Sequence, residues 1–74
     1  MPRLATKFNI RNEISSLRSR ENITQQELAD AVAVTRATII ALEKESYNPS
    51  LELAFRLARH FKVGIEEIFS VKGD

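Results

Sequence analysis

Residues 24–44 read TQQELADAVAVTRATIIALEK, and they contain the strongest local signals for the fold. It opens with Thr24-Gln25-Gln26-Glu27, which has the Thr-x-x-Glu form of a capping box. In that motif the hydroxyl and the carboxylate each accept a backbone N–H at the start of a helix. Leu28, Ala29 and Val32 follow as an apolar stripe at helical spacing. The pattern predicts a short helix that begins directly after Thr24.

A second helix is expected close behind the first. Ala33-Val34 is too short to be more than a brief connection, and Thr35 is a suitable N-cap for the next helix. Ile39 and Leu42 lie three residues apart and provide its inward face. The two helices joined by a tight turn match the plan of a helix-turn-helix, although any small helical bundle contains such pairs.

An earlier helix is predicted from about Asn9 to Glu21. Ile10, Ile14 and Leu17 follow the i, i+4, i+7 spacing of one helical face. Helices therefore precede and follow residue 24, which favours an all-α fold.

Two more helices are predicted after residue 45, and the first of them follows a loop. Pro49 disfavours helical backbone at Asn48, and Ser50 then supplies an N-cap, with Glu52 placed to favour the positive end of the helix dipole. The predicted core face of this fourth helix is Leu51, Ala54, Leu57, Ala58 and Phe61. Residues 65–69 predict a last short helix with apolar residues at i, i+3 and i+4.

The expected architecture is a compact five-helix domain over residues 9–69, with tails at 1–8 and 70–74. Phe8 and Val71 are candidates for a short strand pair formed by the tails.

Length and composition exclude several classes of protein. A chain of 74 residues has room for one small domain, and without cysteine it has neither disulfides nor thiol chemistry. The single His60 cannot build a metal site alone, and no Gly-rich phosphate loop or nucleophile motif is present, so we expect no enzyme and no cofactor. No apolar run is long enough for a membrane span, which predicts a cytoplasmic protein. The net charge of +1 leaves the partner open.

Four segments together resemble the phage repressor and Cro family of helix-turn-helix regulators, also called the xenobiotic-response-element family. They are Thr24–Ala29, Val34–Glu43, Tyr47–Ala54 and Ile65–Phe69. The resemblance implies a five-helix DNA-binding domain that acts as a homodimer on a palindromic operator, most often as a repressor, with its helix-turn-helix at about residues 24–44.

The resemblance also implies roles for individual residues. Candidates for reading bases in the major groove are Arg36, Ala37, Thr38, Ile40, Ala41 and Lys44. Candidates for phosphate contacts are Gln25, Thr35, Ser46 and Asn48. Arg18 and Glu43 match a pair that joins the first helix to the third as an internal ion pair. As a hypothesis, dimerisation uses the C-terminal region around Phe61, Ile65, Ile68 and Phe69.

Three positions depart from the family pattern. Ala33 and Glu45 stand where glycine is usual, so each is expected to adopt positive φ or a reshaped turn. Ala37 stands where the family often has glutamine, which can bind adenine with two hydrogen bonds.

Two interpretations of the outward face of the third helix remain open. Ile40 and the alanines suit thymine methyls, while Arg36 suits guanine or a phosphate. The same apolar stripe, or the C-terminal face, would also suit a protein partner, as in an antitoxin. An antitoxin of this family can also bind its own promoter, so the two interpretations are compatible.

Overall fold

Five helices and a two-stranded antiparallel sheet make up the fold of residues 9–71. The computed structural model describes residues 9–71. In chain order the elements are β1 (Ile10–Asn12), α1 (Ile14–Arg20), α2 (Gln25–Ala31), α3 (Arg36–Glu43), α4 (Leu51–Phe61), α5 (Ile65–Ile68) and β2 (Phe69–Val71). This confirms the all-α class with five helices and a short strand pair. No helix within residues 9–71 is long and apolar enough to cross a membrane.

The sheet brings the two ends of the described chain together. Ile10 pairs with Val71 and Asn12 with Phe69. The Glu13 N–H continues the contact by donating to the carbonyl oxygen of Ile68 at 2.9 Å. Val71 therefore lies in the strand pair, whereas Phe8 lies outside the described residues.

The prediction that the first helix begins at about Asn9 is wrong. Ile10 belongs to β1, and α1 begins only at Ile14. The side-chain oxygen of Asn12 accepts the N–H of Ile14 at 3.1 Å, which occupies an otherwise orphan donor at the helix start. Residues that the apolar spacing assigned to the first turn of the helix therefore form a strand, and the Asn12 side chain caps the helix that begins after it.

The core lies between the helices and extends from α1 to α5. Among its members Ile14, Leu28, Ile39, Leu42 and Leu57 have no exposed surface. Burying an aliphatic side chain of this size contributes about 1.5–3 kcal/mol relative to leaving it exposed. Packing of this kind fixes the relative positions of α2 and α3 in a chain too short to have much other stabilisation.

The predicted core face of α4 is wrong at Leu51. That side chain is 71% exposed, and Leu53 is buried instead. Leu53, Leu57 and Phe61 recur every four residues, so they form one stripe along the helix. Leu51 is the first residue of α4. It is three residues from the buried Ala54, which is a helical spacing, but its side chain does not lie on the buried face.

A residue with positive φ follows each of the first four helices, and none of the four is glycine. The φ angles are 59° at Asn22, 63° at Ala33, 61° at Glu45 and 60° at Lys62. Such left-handed residues end helices by turning the chain away, usually with glycine in that place. The positive φ expected at Ala33 and Glu45 is confirmed.

Candidate nucleic-acid interface

The capping box at Thr24 fixes the start of α2. The N–H of Glu27 donates to the Thr24 hydroxyl at 3.0 Å, and the N–H of Thr24 donates to the Glu27 carboxylate at 2.8 Å. Two donors that a helix end would otherwise leave unpaired are satisfied in this way. The predicted start of the first motif helix is confirmed.

The turn between α2 and α3 is held by backbone hydrogen bonds. The N–H of Val34 donates to the Ala29 carbonyl at 3.0 Å, and the N–H of Ala33 donates to the Asp30 carbonyl at 3.3 Å. Val34 packs against the core, so the turn is anchored by a side chain as well. The direction in which α3 leaves α2 is therefore set by the turn itself.

Thr35 caps α3, as predicted. Its hydroxyl accepts the N–H of Thr38 at 3.2 Å, and the two threonine hydroxyl oxygens lie 3.1 Å apart. Because the start of a helix carries partial positive charge, the exposed position of Thr35 also suits a phosphate.

The third helix has one buried side and one outward side. Ile39 and Leu42 are fully buried. The six predicted base-reading residues all lie on the other side, three of them exposed and three half-buried: Arg36, Ala37 and Lys44, then Thr38, Ile40 and Ala41. Within residues 9–71 the hydrogen bonds and ion pairs involve neither the Arg36 guanidinium nor the Lys44 ammonium. Two cations on this face are thus available to an external anion or base edge.

An ion pair joins α3 to α1 below this face. Arg18 donates to the two carboxylate oxygens of Glu43 from Nε at 2.7 Å and from a terminal nitrogen at 3.2 Å. Another Arg18 nitrogen donates to the Ile23 carbonyl at 3.0 Å. Three hydrogen bonds fix the planar guanidinium of Arg18, so this side chain connects α1 to α3 rigidly.

Gln25 belongs to the same network. Its side-chain amide donates to Glu43 at 3.0 Å. Burial raises the pKa of Glu43, but the hydrogen bonds from Arg18 and Gln25 and the guanidinium charge outweigh it, so this pKa lies below its ordinary value. The hydrogen bond to Glu43 raises the pKa of Arg18.

A cleft brings predicted base-reading and phosphate-binding residues together. Gln25 and Arg36 line the same cleft of about 560 Å³, along with Gln26 and Thr24. Since one amide hydrogen of Gln25 is directed to Glu43, the orientation of the side chain is set before any ligand arrives.

Residues after α3 close its C-terminal end. The Ser46 hydroxyl and its N–H both donate to the Ala41 carbonyl, at 3.3 Å and 3.1 Å. Asn48 is exposed in the loop that follows. Of the two predicted loop contacts, Ser46 therefore has a local structural partner, and Asn48 faces solvent.

Sequence reasoning missed a contact between β1 and the end of α3. The Asn12 side-chain amide donates to the Leu42 carbonyl at 2.8 Å, and the Asn12 N–H donates to the Glu45 carboxylate at 3.1 Å. The only available signal was one polar residue in a stretch assigned to a helix, which is too weak to predict a contact thirty positions away.

Two predicted dimer-interface residues belong to the core of the single chain. Phe61 is 7% exposed and Ile68 is 1% exposed, so assigning them to a dimer surface is wrong. Their apolar character reflects burial against the other helices. Ile65 and Phe69 are half-buried and keep part of their surface.

Comparisons with known proteins agree with a helix-turn-helix fold. The helix-turn-helix family model matches residues 14–68. An uncharacterized HTH-type transcriptional regulator from Methanocaldococcus jannaschii is 46% identical over 65 residues, which cover 88% of this chain and 98% of the relative. The cryptic phage CTXphi transcriptional repressor of Vibrio cholerae is 34% identical over 59 residues, which cover 80% of this chain and 53% of the repressor.

A solved structure supports the fold. The restriction-modification controller protein from Aeromonas hydrophila superposes with a TM-score of 0.69 at 24% identity, covering 74% of this chain and 83% of that protein.

Residues 9–71 contain no group of three or more His, Cys, Asp or Glu side chains that could hold a metal ion.

Proposed function

Because this chain belongs to the Cro/C1-type helix-turn-helix family of transcriptional regulators, we propose that it is a cytoplasmic repressor that binds a palindromic operator as a homodimer. The proposal rests above all on the outward face of α3, where Arg36 and Lys44 have no ionic partner among residues 9–71. A similar phage repressor supports repression as the mode of action.

The third helix has suitable dimensions and chemistry for the major groove. A helix with its side chains is about 10–12 Å across, and the groove is about 12 Å wide. Arg36 lies in the first turn of α3, from which it can reach a guanine edge or a phosphate. Ile40 presents apolar surface to thymine methyls, and Lys44 presents a charge at the opposite end of the helix.

Phosphate contacts at the edges of the groove would fix the position of α3. Gln25 and Thr35 lie at the starts of the two motif helices, and Asn48 lies in the loop beyond α3. Contacts of this kind set register and orientation without reading sequence. Ser46 remains in this proposed set through its exposed position, with its hydroxyl already bonded to Ala41.

Dimerisation is proposed to use exposed apolar surface outside the motif. Ile65 and Phe69 remain from the predicted set. Leu51 and Phe55 join them, because they lie one turn apart on α4 and are 71% and 52% exposed. Large apolar side chains that share an exposed face characterise interaction surfaces. Two copies would then present their α3 helices roughly 34 Å apart, one turn of DNA.

Selection from a random duplex pool at fixed moderate salt tests the function. Purified protein is mixed with the pool, and the bound duplexes are sequenced. The expected result is a palindrome with half-site centres about one helical turn apart. Weak, salt-sensitive binding without an enriched sequence would contradict operator recognition and would favour a protein partner.

Sedimentation of the protein with the selected duplex tests the dimer. Two copies per duplex are expected, and Phe55→Arg should weaken this assembly. The variant should remain folded because the Phe55 side chain is exposed. The matched control is Arg20→Ala, an exposed change on α1, because Arg59 lies one turn after Phe55 on the proposed dimer face. One copy per duplex at roughly tens of micromolar protein would contradict the dimer and leave monomeric DNA binding.

A further inference from the structure

A shallow cleft lies on the outward side of α3. It is lined by Ala37, Thr38, Ala41 and Tyr47 and measures about 270 Å³. Ala37 and Ala41 are one turn apart, so their short side chains leave a depression along the helix. Tyr47 follows the helix in the next loop, is 45% exposed, and provides an aromatic wall.

The cleft offers few groups that could form hydrogen bonds with a base. Alanine side chains have no donor or acceptor. The Thr38 hydroxyl oxygen lies 3.1 Å from that of Thr35, so it is engaged within the cap of α3. The Tyr47 hydroxyl is the remaining polar atom of the lining side chains. Such a surface reads shape and apolar contact instead of a donor and acceptor pattern.

Only one ordinary base presents an apolar group in the major groove. Thymine carries a C5-methyl there, whereas adenine, guanine and cytosine present donors and acceptors without a methyl. Alanine and aromatic side chains are among those that make apolar contact with this methyl. The lining of the cleft therefore matches the thymine methyl and offers the other three bases little beyond the Tyr47 hydroxyl.

We propose that this cleft holds the C5-methyl of one operator thymine in each half-site, and that Tyr47 is a specificity-determining residue. The proposal rests on the proposed DNA-binding function and adds a residue outside the helix-turn-helix to base recognition. Tyr47 covers the methyl from the side opposite the alanines and removes it from water.

Replacement of single thymines by deoxyuridine in the selected operator tests the contact. This change removes the methyl and leaves base pairing intact. Binding is measured by fluorescence anisotropy at constant salt. At the thymine that the cleft holds we expect about fourfold weaker binding, the effect of losing one buried carbon group. A thymine that faces Ile40 should also lose affinity, but independently of Tyr47, and the remaining thymines should change little. A cytosine in place of the thymine that the cleft holds should bind better when it carries a 5-methyl group.

Variants of Tyr47 connect the methyl effect to this cleft. With Tyr47→Ala the loss of affinity caused by deoxyuridine should nearly disappear. Without the aromatic ring, the thymine methyl stays exposed to water in the complex as it is in free DNA. With Tyr47→Phe the penalty should persist, since the ring remains. Both changes are at an exposed position, and circular dichroism checks that each variant is folded.

Two results would overturn the inference while leaving operator binding intact. One is an operator in which no thymine methyl matters, and the other is a penalty that is equally large in Tyr47→Ala. If the random pool yields no preferred sequence, the proposed function and this inference both fail.

Discussion

The side-chain amide of Asn12 donates a 2.8 Å hydrogen bond to the carbonyl oxygen of Leu42, and so ties the N-terminal strand to the last turn of α3. Carbonyl groups in that turn have no partner within the helix. The same residue gives its N–H to Glu45, directly after the helix. The C-terminal end of α3 is thus fastened, while Arg36 at the other end remains exposed.

Asn12→Ala should destabilise the protein by about 1–3 kcal/mol, because it removes the side-chain acceptor of the Ile14 N–H and one of the two hydrogen bonds to the Leu42 carbonyl. That carbonyl still accepts the Glu45 N–H at 2.9 Å. Urea unfolding followed by circular dichroism measures the change. Asn9→Ala is the matched control, since Asn9 is exposed and precedes the strand, and its effect should stay within about 0.5 kcal/mol. Equal stability of the two variants would show that the Asn12 contacts contribute nothing.

Glu43→Gln should lower stability at neutral pH and flatten the dependence of stability on pH. The pKa of Glu43 is depressed by folding, so its contribution is complete above the unfolded pKa, about 4.5, and is lost as pH falls through the lower folded value. The wild-type protein should therefore lose more stability than the variant between about pH 5 and pH 3.

Urea unfolding at several pH values measures this difference. Glu66→Gln is the control, because Glu66 is exposed on α5 and its loss should change stability by less than about 0.5 kcal/mol at neutral pH. Parallel curves for the wild type and Glu43→Gln would contradict a stabilising role for the Arg18–Glu43 pair.

Ala33→Gly should raise the free energy of unfolding by about 0.5–1 kcal/mol. A left-handed residue with a Cβ costs about 1–2 kcal/mol, and the extra chain entropy of glycine cancels part of the gain. Glu45→Gly relieves the same backbone conformation but removes the carboxylate that accepts the Asn12 N–H, so its gain should be smaller or absent. Thermal unfolding measures the stability of both variants. A Glu45→Gly variant more stable than Ala33→Gly would contradict this explanation.

Arg36→Ala should weaken binding to the selected operator by about 1–3 kcal/mol. If Arg36 reads guanine, preference at one base pair per half-site relaxes; if it touches phosphate, all sequences weaken alike and the salt dependence decreases. Anisotropy titrations on the operator and on single-base variants measure both. Arg20→Ala, which removes an exposed cation from α1, should bind as the wild type does. An Arg36→Ala variant with unchanged affinity would remove Arg36 from the interface.

Local sequence signals predicted most of the motif, because short-range hydrogen bonds and helical periodicity determine it. Thr24 and Thr35 cap the helices that their sequence positions indicated, and Ile39 and Leu42 are buried as their spacing required. A spacing of three or four residues is sufficient information for such features.

Long-range contacts account for the errors. Ile10 pairs with Val71, at the other end of the described chain, and no local pattern could distinguish that strand from a helical turn. Phe61 and Ile68 are apolar whether they face the core or a partner, so sequence alone could not assign them to the core. The same ambiguity affected Leu51, which lies only two residues from the buried Leu53.

Repeating the duplex selection with Ala37→Gln tests most directly whether the outward face of α3 reads DNA. Glutamine can bind adenine with two hydrogen bonds, so the variant should select adenine at one position in each half-site and otherwise the wild-type sequence. Circular dichroism confirms that this exposed change preserves the helices. An identical selected sequence for both proteins would contradict the claim that α3 lies in the major groove.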